Sequence, residues 1–230
     1  QLLAQHDIFG LPFDERHGGT GTGTLMLVVA IEEIARACAS SSLMLAAQDL
    51  GTLPIRLAGS QELQDRLLPK YASGEWLAAF ALSEPDAGSD PASMRTRATR
   101  VDGGWKIDGV KNWITNAGVA DTYVVFAITD PDERASRGLG AFLVRGDSPG
   151  FSVASLEKKM GMRGSPTGQL VFDGVFVPDE DVIGEPGTGF KTAMRTLDHS
   201  RLGIAAQAVG IAQGATDYAV SYARERVTFG

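Results

Sequence analysis

Cysteine occurs once in these 230 residues and histidine only three times. A single thiol excludes any internal disulfide. Cys38 stands in the apolar stretch from Ile31 to Leu45, which predicts a buried structural thiol and a reducing compartment. A reactive cysteine would need exposure and a nearby imidazole. His6, His17 and His199 show no metal-ligand spacing, so zinc is not expected. No apolar run reaches the roughly twenty residues that a membrane-spanning helix needs. An excess of basic residues is also lacking: Lys+Arg number 21 against 28 Asp+Glu, a formal charge of −7. A nucleic-acid binder must offer the phosphates a basic face, and this chain has none to spare. At 43% apolar and 21% charged, the composition is that of a globular protein, not a disordered or collagen-like one.

What is abundant is glycine. Its 28 residues are about 12% of the chain, against a usual level of roughly 7%, so many turns or close backbone approaches are needed. Residues 1–75 read as helical. Ala30, Ile31, Ile34, Ala35 and Cys38 keep helical spacing with Glu32, Glu33 and Arg36 between them, an amphipathic pattern. Ser60 predicts an N-cap for Gln61 to Tyr71, and Gly74 a stop. The run Gly18 to Gly23 is a loop. From Trp76 the period shortens. Eight segments rich in β-branched and aromatic residues, Trp76–Ser83, Thr96–Val101, Trp105–Ile107, Trp113–Thr115, Thr122–Thr129, Gly140–Val144, Phe151–Ala154 and Gln169–Val177, predict a compact antiparallel barrel or sandwich. No helical crossovers separate them, which argues against a Rossmann sheet. After Pro186 the helical period returns to the end, with Ala193, Leu197, Ile204, Ala208, Ile211, Ala215, Ala219 and Tyr222 forming an apolar stripe for partner helices. The expected class is therefore α+β: an N-terminal helical domain (1–75), a β-barrel domain (76–185) and the first part of a C-terminal helical bundle (186–230). Both ends are abrupt, as in an excerpt from a longer chain.

Several fingerprints fail on inspection. Gly184-Glu-Pro-Gly-Thr-Gly-Phe-Lys-Thr192 approximates a phosphate-binding loop, but Phe190 displaces the lysine by one place and no buried strand leads into it. Ser155-Leu-Glu-Lys158 lacks its companion motifs, and Gly19-Thr-Gly21 lacks the strand and third glycine of a dinucleotide fingerprint. Glu84, Asp86 and Asp90 crowd one turn, most simply a solvated one. More telling is Phe80 to Asp90, a strand running into a proline turn and Gly88-Ser89. Exposed strand-end N–H groups, the Ser83 hydroxyl and a small glycine approach suit a flat polar ring and a phosphate. Trp113-Ile114-Thr115 puts an indole and a hydroxyl on one face of a second strand. The two segments together suggest a heteroaromatic ligand site; a tryptophan in a barrel core is the plainer alternative.

The sequence resembles the acyl-CoA dehydrogenases, particularly short-chain and related bacterial branched-chain members. The resemblance rests on six motifs in family order: Phe80-Ala-Leu-Ser-Glu-Pro-Asp-Ala-Gly-Ser-Asp90, Lys111-Asn-Trp-Ile-Thr-Asn116, Lys159-Met-Gly-Met-Arg-Gly-Ser-Pro-Thr167, Gly184-Glu-Pro-Gly-Thr-Gly-Phe-Lys191, Leu197-Asp-His-Ser-Arg201 and Arg226-Val-Thr-Phe-Gly230. It implies an N-terminal helical domain, a middle β-barrel and a C-terminal bundle, with noncovalent FAD and no Rossmann motif. By motif, Phe80, Leu82 and Ser83 would line the pyrimidine side of the flavin, with Gly88 and Ser89 approaching the cofactor and Ser89 also the CoA. Trp113 and Ile114 would flank the ring and Thr115 would hydrogen-bond near N5. Arg226 and Thr228 match positions holding the FAD pyrophosphate of a neighbouring subunit, so a homo-oligomer, dimer or tetramer, is implied. Asp198 and Arg201 match acyl-CoA-binding positions.

The implied reaction is α,β-dehydrogenation of a short- or medium-chain acyl-CoA thioester to the trans-2-enoyl-CoA, with electrons passed to an electron-transfer flavoprotein. A carboxylate takes the α proton, and hydrogen bonds to the thioester carbonyl must acidify that C–H. In most members this base is a glutamate beyond the position of residue 230. In a minority it precedes the arginine on the Leu197–Arg201 helix, where this chain has Ser200. No catalytic base is therefore expected within residues 1–230. Two other readings share the scaffold: a flavin oxidase or monooxygenase, and a non-catalytic acyl-CoA-binding subunit. Asp14–Gly23 and Ser40–Ala47 are expected to shape the pocket. The resemblance places the protein in a bacterial cytoplasm, or in the mitochondrial matrix if it is eukaryotic.

Overall fold

A computed structural model describes residues 2–229. The helical part comprises α1 (Leu2–Gln5), α2 (Gly23–Ala37), α3 (Ala39–Ala58) and α4 (Gln61–Ala72). Leu27, Ile31 and Ala35 of α2 are buried at four-residue intervals, one helical face turned inward. Ser60 caps α4 by accepting from Leu63 N at 3.1 Å, as its hydroxyl and position predict. Cys38 does not behave as expected. It breaks the helical run between α2 and α3 with extended backbone (φ −156°, ψ 106°), and its thiol is exposed. The break turns the side chain outward, where hydrogen bonding to Ser41 holds the thiol below its usual value.

Seven strands follow: β1 (Ala78–Ala81), β2 (Arg97–Val101), β3 (Gly104–Thr115), β4 (Thr122–Ile128), β5 (Leu139–Arg145), β6 (Phe151–Leu156) and β7 (Thr167–Pro178), with the short α5 (Ala135–Gly138) before β5. They form one sheet in the order β1-β4-β2-β3-β7-β6, with β5 paired to β4, curled into a half-barrel. The barrel expectation holds in outline, but the sheet is mixed. β4 runs parallel to both β1 and β2, while β2–β3, β3–β7, β4–β5 and β6–β7 are antiparallel. A long turn, not a hairpin, joins β1 to β2, so both reach β4 in the same direction. The segments Trp105–Ile107 and Trp113–Thr115 are two parts of the single strand β3, whose pairing with β7 slips between Lys111 and Ile114.

β4 explains the layering. Val124 and Phe126 face a core shared with Ile55, Leu63 and Tyr71, while Tyr123, Val125 and Ala127 face the interior of the curled sheet with Ile107, Phe142 and Leu170. A strand covered on both faces reads as a continuous apolar run. The last helix, α6 (Gly189–Glu225), lies across α2 and α3. Against these two helices it buries Gly203, Ala206, Gln207 and Gly210. A Cβ on Gly210 would sit 2.1 Å from the Glu32 carbonyl oxygen, so only glycine permits this approach. The expected apolar stripe splits: Ala193 is buried and Leu197 half-buried, while Ile204, Ala208, Ile211, Ala215, Ala219 and Tyr222 are exposed, uncovered by any described residue. Helix α6 ends at Glu225, short of the terminus to which the periodicity extended it.

Candidate functional site

The irregularity in β3 builds the site. Asn112 and Trp113 lie between the two paired stretches of the strand, and Trp113 has a left-handed backbone (φ 57°). That conformation is unfavourable for a bulky L-residue and persists only where surrounding structure enforces it. Here it leaves the indole 54% exposed on the wall of a cavity of about 350 Å³. Ile114 and Thr115 resume the ladder beside it, opposite Gly168 and Thr167. The facing wall is the end of β1 and the turn beyond it: Ala79, Phe80, Leu82, Ser83, Gly88, Ser89 and Pro91. Helix α3 supplies Ala47 and Leu50, and α6 supplies Met194 and Leu197.

Behind this wall is an ion pair. Lys111 is fully buried, and its Nζ donates to Glu84 Oε1 at 2.8 Å and to the Leu82 carbonyl at 3.0 Å. Glu84 also accepts from the backbone N–H groups of Arg95 (2.6 Å) and Thr96 (3.0 Å). Burial pushes the Lys111 ammonium down to about 8 despite its carboxylate partner. Burial would raise Glu84, but the Lys111 charge and the bonds from Thr96 and Arg95 outweigh it and hold the carboxyl below its ordinary value. Two more bonds tie the walls together. Asn112 N–H donates to the Ser83 carbonyl at 2.9 Å, and Asn116 Nδ2 donates to the Ala78 carbonyl at 2.9 Å.

Eight of the sequence-derived site residues thus meet in one cavity: Phe80, Leu82, Ser83, Gly88, Ser89, Trp113, Ile114 and Thr115. Four do not. Asp198 and Arg201 are exposed on α6 and pair with each other at 2.9 Å. Arg226 and Thr228 are exposed beyond the end of α6. Ala47, at the edge of the segment expected to shape the pocket, lines it. Asp14–Gly23 does not; Asp14, Arg16 and His17 border a separate cavity of about 310 Å³ with His199. Glu84 is no solvated turn acid: it is 4% exposed, whereas Asp86 and Asp90 are exposed. Sequence reasoning missed the pairing because Glu84 and Lys111 stand 27 residues apart. The one available signal was a lysine in the motif ahead of Trp113.

The arrangement fits a planar ring. It offers an indole wall, half-buried hydroxyls at Ser83 and Thr115, and an apolar floor from two helices. Among the described residues no carboxylate lines it; Ser200 is half-buried and its hydroxyl donates weakly to the Leu197 carbonyl at 3.4 Å. A larger hollow of about 720 Å³ along Leu156–Pro166 has no aromatic wall. No group of three His, Cys, Asp or Glu side chains could hold a metal among the described residues, and no helix there is long and apolar enough to cross a membrane.

A curled mixed sheet with helices packed on its outer face, and a ring-sized cleft where sheet and helices meet, defines a class shared with known proteins. Family models for the acyl-CoA dehydrogenase N-terminal, middle and C-terminal domains match residues 1–75, 79–175 and 187–230. A probable acyl-CoA dehydrogenase, fadE25 of Mycobacterium leprae, is 51% identical over 94% of this chain and 55% of its own length. Among solved structures, butyryl-CoA dehydrogenase from Megasphaera elsdenii superposes with a TM-score of 0.96 at 41% identity, covering 100% of this chain and 61% of that one. A glutaryl-CoA dehydrogenase from Mycobacterium smegmatis, solved in complex with FADH2, gives 0.91 at 31% identity, covering 99% of this chain and 57% of that one. The chain belongs to the acyl-CoA dehydrogenase family, whose members are flavoprotein oxidoreductases of fatty acid metabolism. It spans little more than half the length of these relatives.

Proposed function

We propose that this chain forms the flavin- and acyl-binding part of an FAD-dependent acyl-CoA dehydrogenase, which converts an acyl-CoA thioester to the trans-2-enoyl-CoA. The supporting observation is the convergence of the Phe80–Ser89 turn and the Trp113–Thr115 strand end on one cavity under α3 and α6. FAD bound there supplies the hydride acceptor for the substrate's β carbon. Trp113 flanks the ring, Thr115 offers its hydroxyl to the ring edge, and the Phe80–Ser83 strand end meets the polar edge with backbone groups. Gly88 and Ser89 allow close approach. Ala47, Leu50, Met194 and Leu197 exclude water and accept the acyl chain of a short- or medium-chain substrate. Among the described residues no carboxylate lines the cavity, and the α-proton base is assigned to the part of these relatives' length that residues 1–230 do not span. Asp198 and Arg201 meet the CoA thioester. Arg226 and Thr228 reach the cofactor of a neighbouring subunit in a homo-oligomer. An electron-transfer flavoprotein would take up the electrons.

The test is anaerobic titration of the full-length holoprotein with butyryl-CoA, read by the visible flavin absorption. Bleaching without oxygen is the expected result. Turnover only with oxygen marks an oxidase or monooxygenase instead. Tight acyl-CoA binding without bleaching marks a non-catalytic binding subunit.

A further inference from the structure

Lys111 carries out a task that the ion pair alone does not require. Glu84 already accepts two backbone N–H bonds, and a salt bridge between Lys111 and Glu84 would exist without Leu82. Yet the same ammonium donates to the Leu82 carbonyl at 3.0 Å. The peptide between Leu82 and Ser83 is trans, as no cis bond occurs among the described residues. In a trans peptide the N–H points opposite to the C=O. Holding the Leu82 carbonyl against a buried ammonium therefore turns the Ser83 N–H away from the core, on the side where Ser83 lines the cavity. No described backbone carbonyl accepts from that N–H. The next carbonyl, of Ser83, is held by Asn112 N–H, so both orientations of the strand end are fixed from β3. The bonds follow the motif's spacing. Lys111, Asn112 and Asn116 hold Leu82, Ser83 and Ala78, while Trp113, Ile114 and Thr115 between them line the cavity.

We propose that Lys111 is a positioning residue: its ammonium clamps the Leu82 carbonyl and so aims the Ser83 N–H at an acceptor on the bound ring, with Glu84 as the counter-charge that keeps the ammonium buried. This rests on the flavin reading of the cavity. A buried ammonium without a carboxylate is costly, and removing one partner of such a pair strands the other. Removing both charges together separates the two roles, because the double variant relieves the stranded charge but leaves the Leu82 carbonyl unheld.

The experiment uses the full-length protein, prepared as apoprotein and reconstituted with FAD. In the wild type, amide exchange at Ser83 slows at least tenfold on FAD binding. Unchanged exchange with FAD demonstrably bound overturns the proposal. Lys111→Met alone is expected to lose both stability and FAD affinity. The double variant Glu84→Gln/Lys111→Met recovers most of the lost melting temperature, yet its Kd for FAD stays at least tenfold above wild type and its visible flavin band shifts. Recovery of both together shows a merely structural pair and overturns the proposal. If the wild type binds no FAD, the reading of the cavity fails separately. The clamp is then judged in the apoprotein, where exchange at Asn112 must rise in the double variant; no rise overturns it.

Discussion

Gly51 gives the sharpest test of how the cavity is held open. It lies buried in α3, one residue after the lining Leu50. A Cβ there would stand 2.8 Å from the carbonyl carbon and Cβ of Ala78 and 2.9 Å from Ala79 N. These are backbone and near-backbone atoms of β1, the strand that continues into Phe80, Leu82 and Ser83. Comfortable carbon contacts are about 3.5–4.0 Å, so Gly51→Ala must push α3 and β1 apart by roughly 1 Å. In an open helix the substitution stabilises by about 1 kcal/mol; here overpacking costs about 1–3 kcal/mol. The clash outweighs the helix gain, with a net loss of up to about 2 kcal/mol. That lowers the melting temperature by up to about 8 °C in a domain of this size. Gly203→Ala on α6 is the comparison, because its Cβ meets the tip of the Ile31 side chain at 3.1 Å and Ala46 Cβ at an ordinary 3.9 Å, and no backbone atom. That flexible tip can yield, so stability stays level or rises by up to about 1 kcal/mol. Thermal melts of both variants, with an FAD titration of Gly51→Ala, measure the effect. Equal behaviour of the two variants would refute the reasoning.

Three further outcomes are expected. Gly88→Ala leaves the melting temperature unchanged, since a Cβ there meets nothing within 4 Å, but weakens FAD binding by tenfold or more because the methyl stands on the cavity wall; unchanged affinity in a fluorescence titration contradicts this. Trp113→Gly is more stable than Trp113→Ala by about 1 kcal/mol in urea melts, because both lose the indole and only alanine retains the strained left-handed backbone; parity means that φ is relaxed in solution. Acid stability depends on Glu84. Its folded carboxyl lies below its ordinary 4.5, so the unfolded chain takes up the proton first. The stabilisation is complete above that ordinary value and is lost as pH falls through the folded one. Glu84→Gln should flatten this acid limb in urea midpoints, and an unaltered slope assigns the limb to other carboxylates.

The residue pattern carries the order of helices, strands and helix, the Ser60 cap and most of the strands, because side-chain periodicity reports which face of each element is buried. It also singled out the two segments that line the cavity, since a hydroxyl, a small turn and an indole at a strand end have chemistry visible residue by residue. The rest follows from contacts between segments distant along the chain. The parallel pairing of β4 with β1 and β2 depends on where a long turn returns the chain, which no local pattern records. Cys38 looked buried because its neighbours are apolar, but one extended residue between α2 and α3 turned it outward. Glu84 looked solvated beside Asp86 and Asp90 until Lys111 arrived from β3. Burial of a charge depends on a partner distant in sequence, and so the residues behind the cavity wall are legible only once the chain has folded.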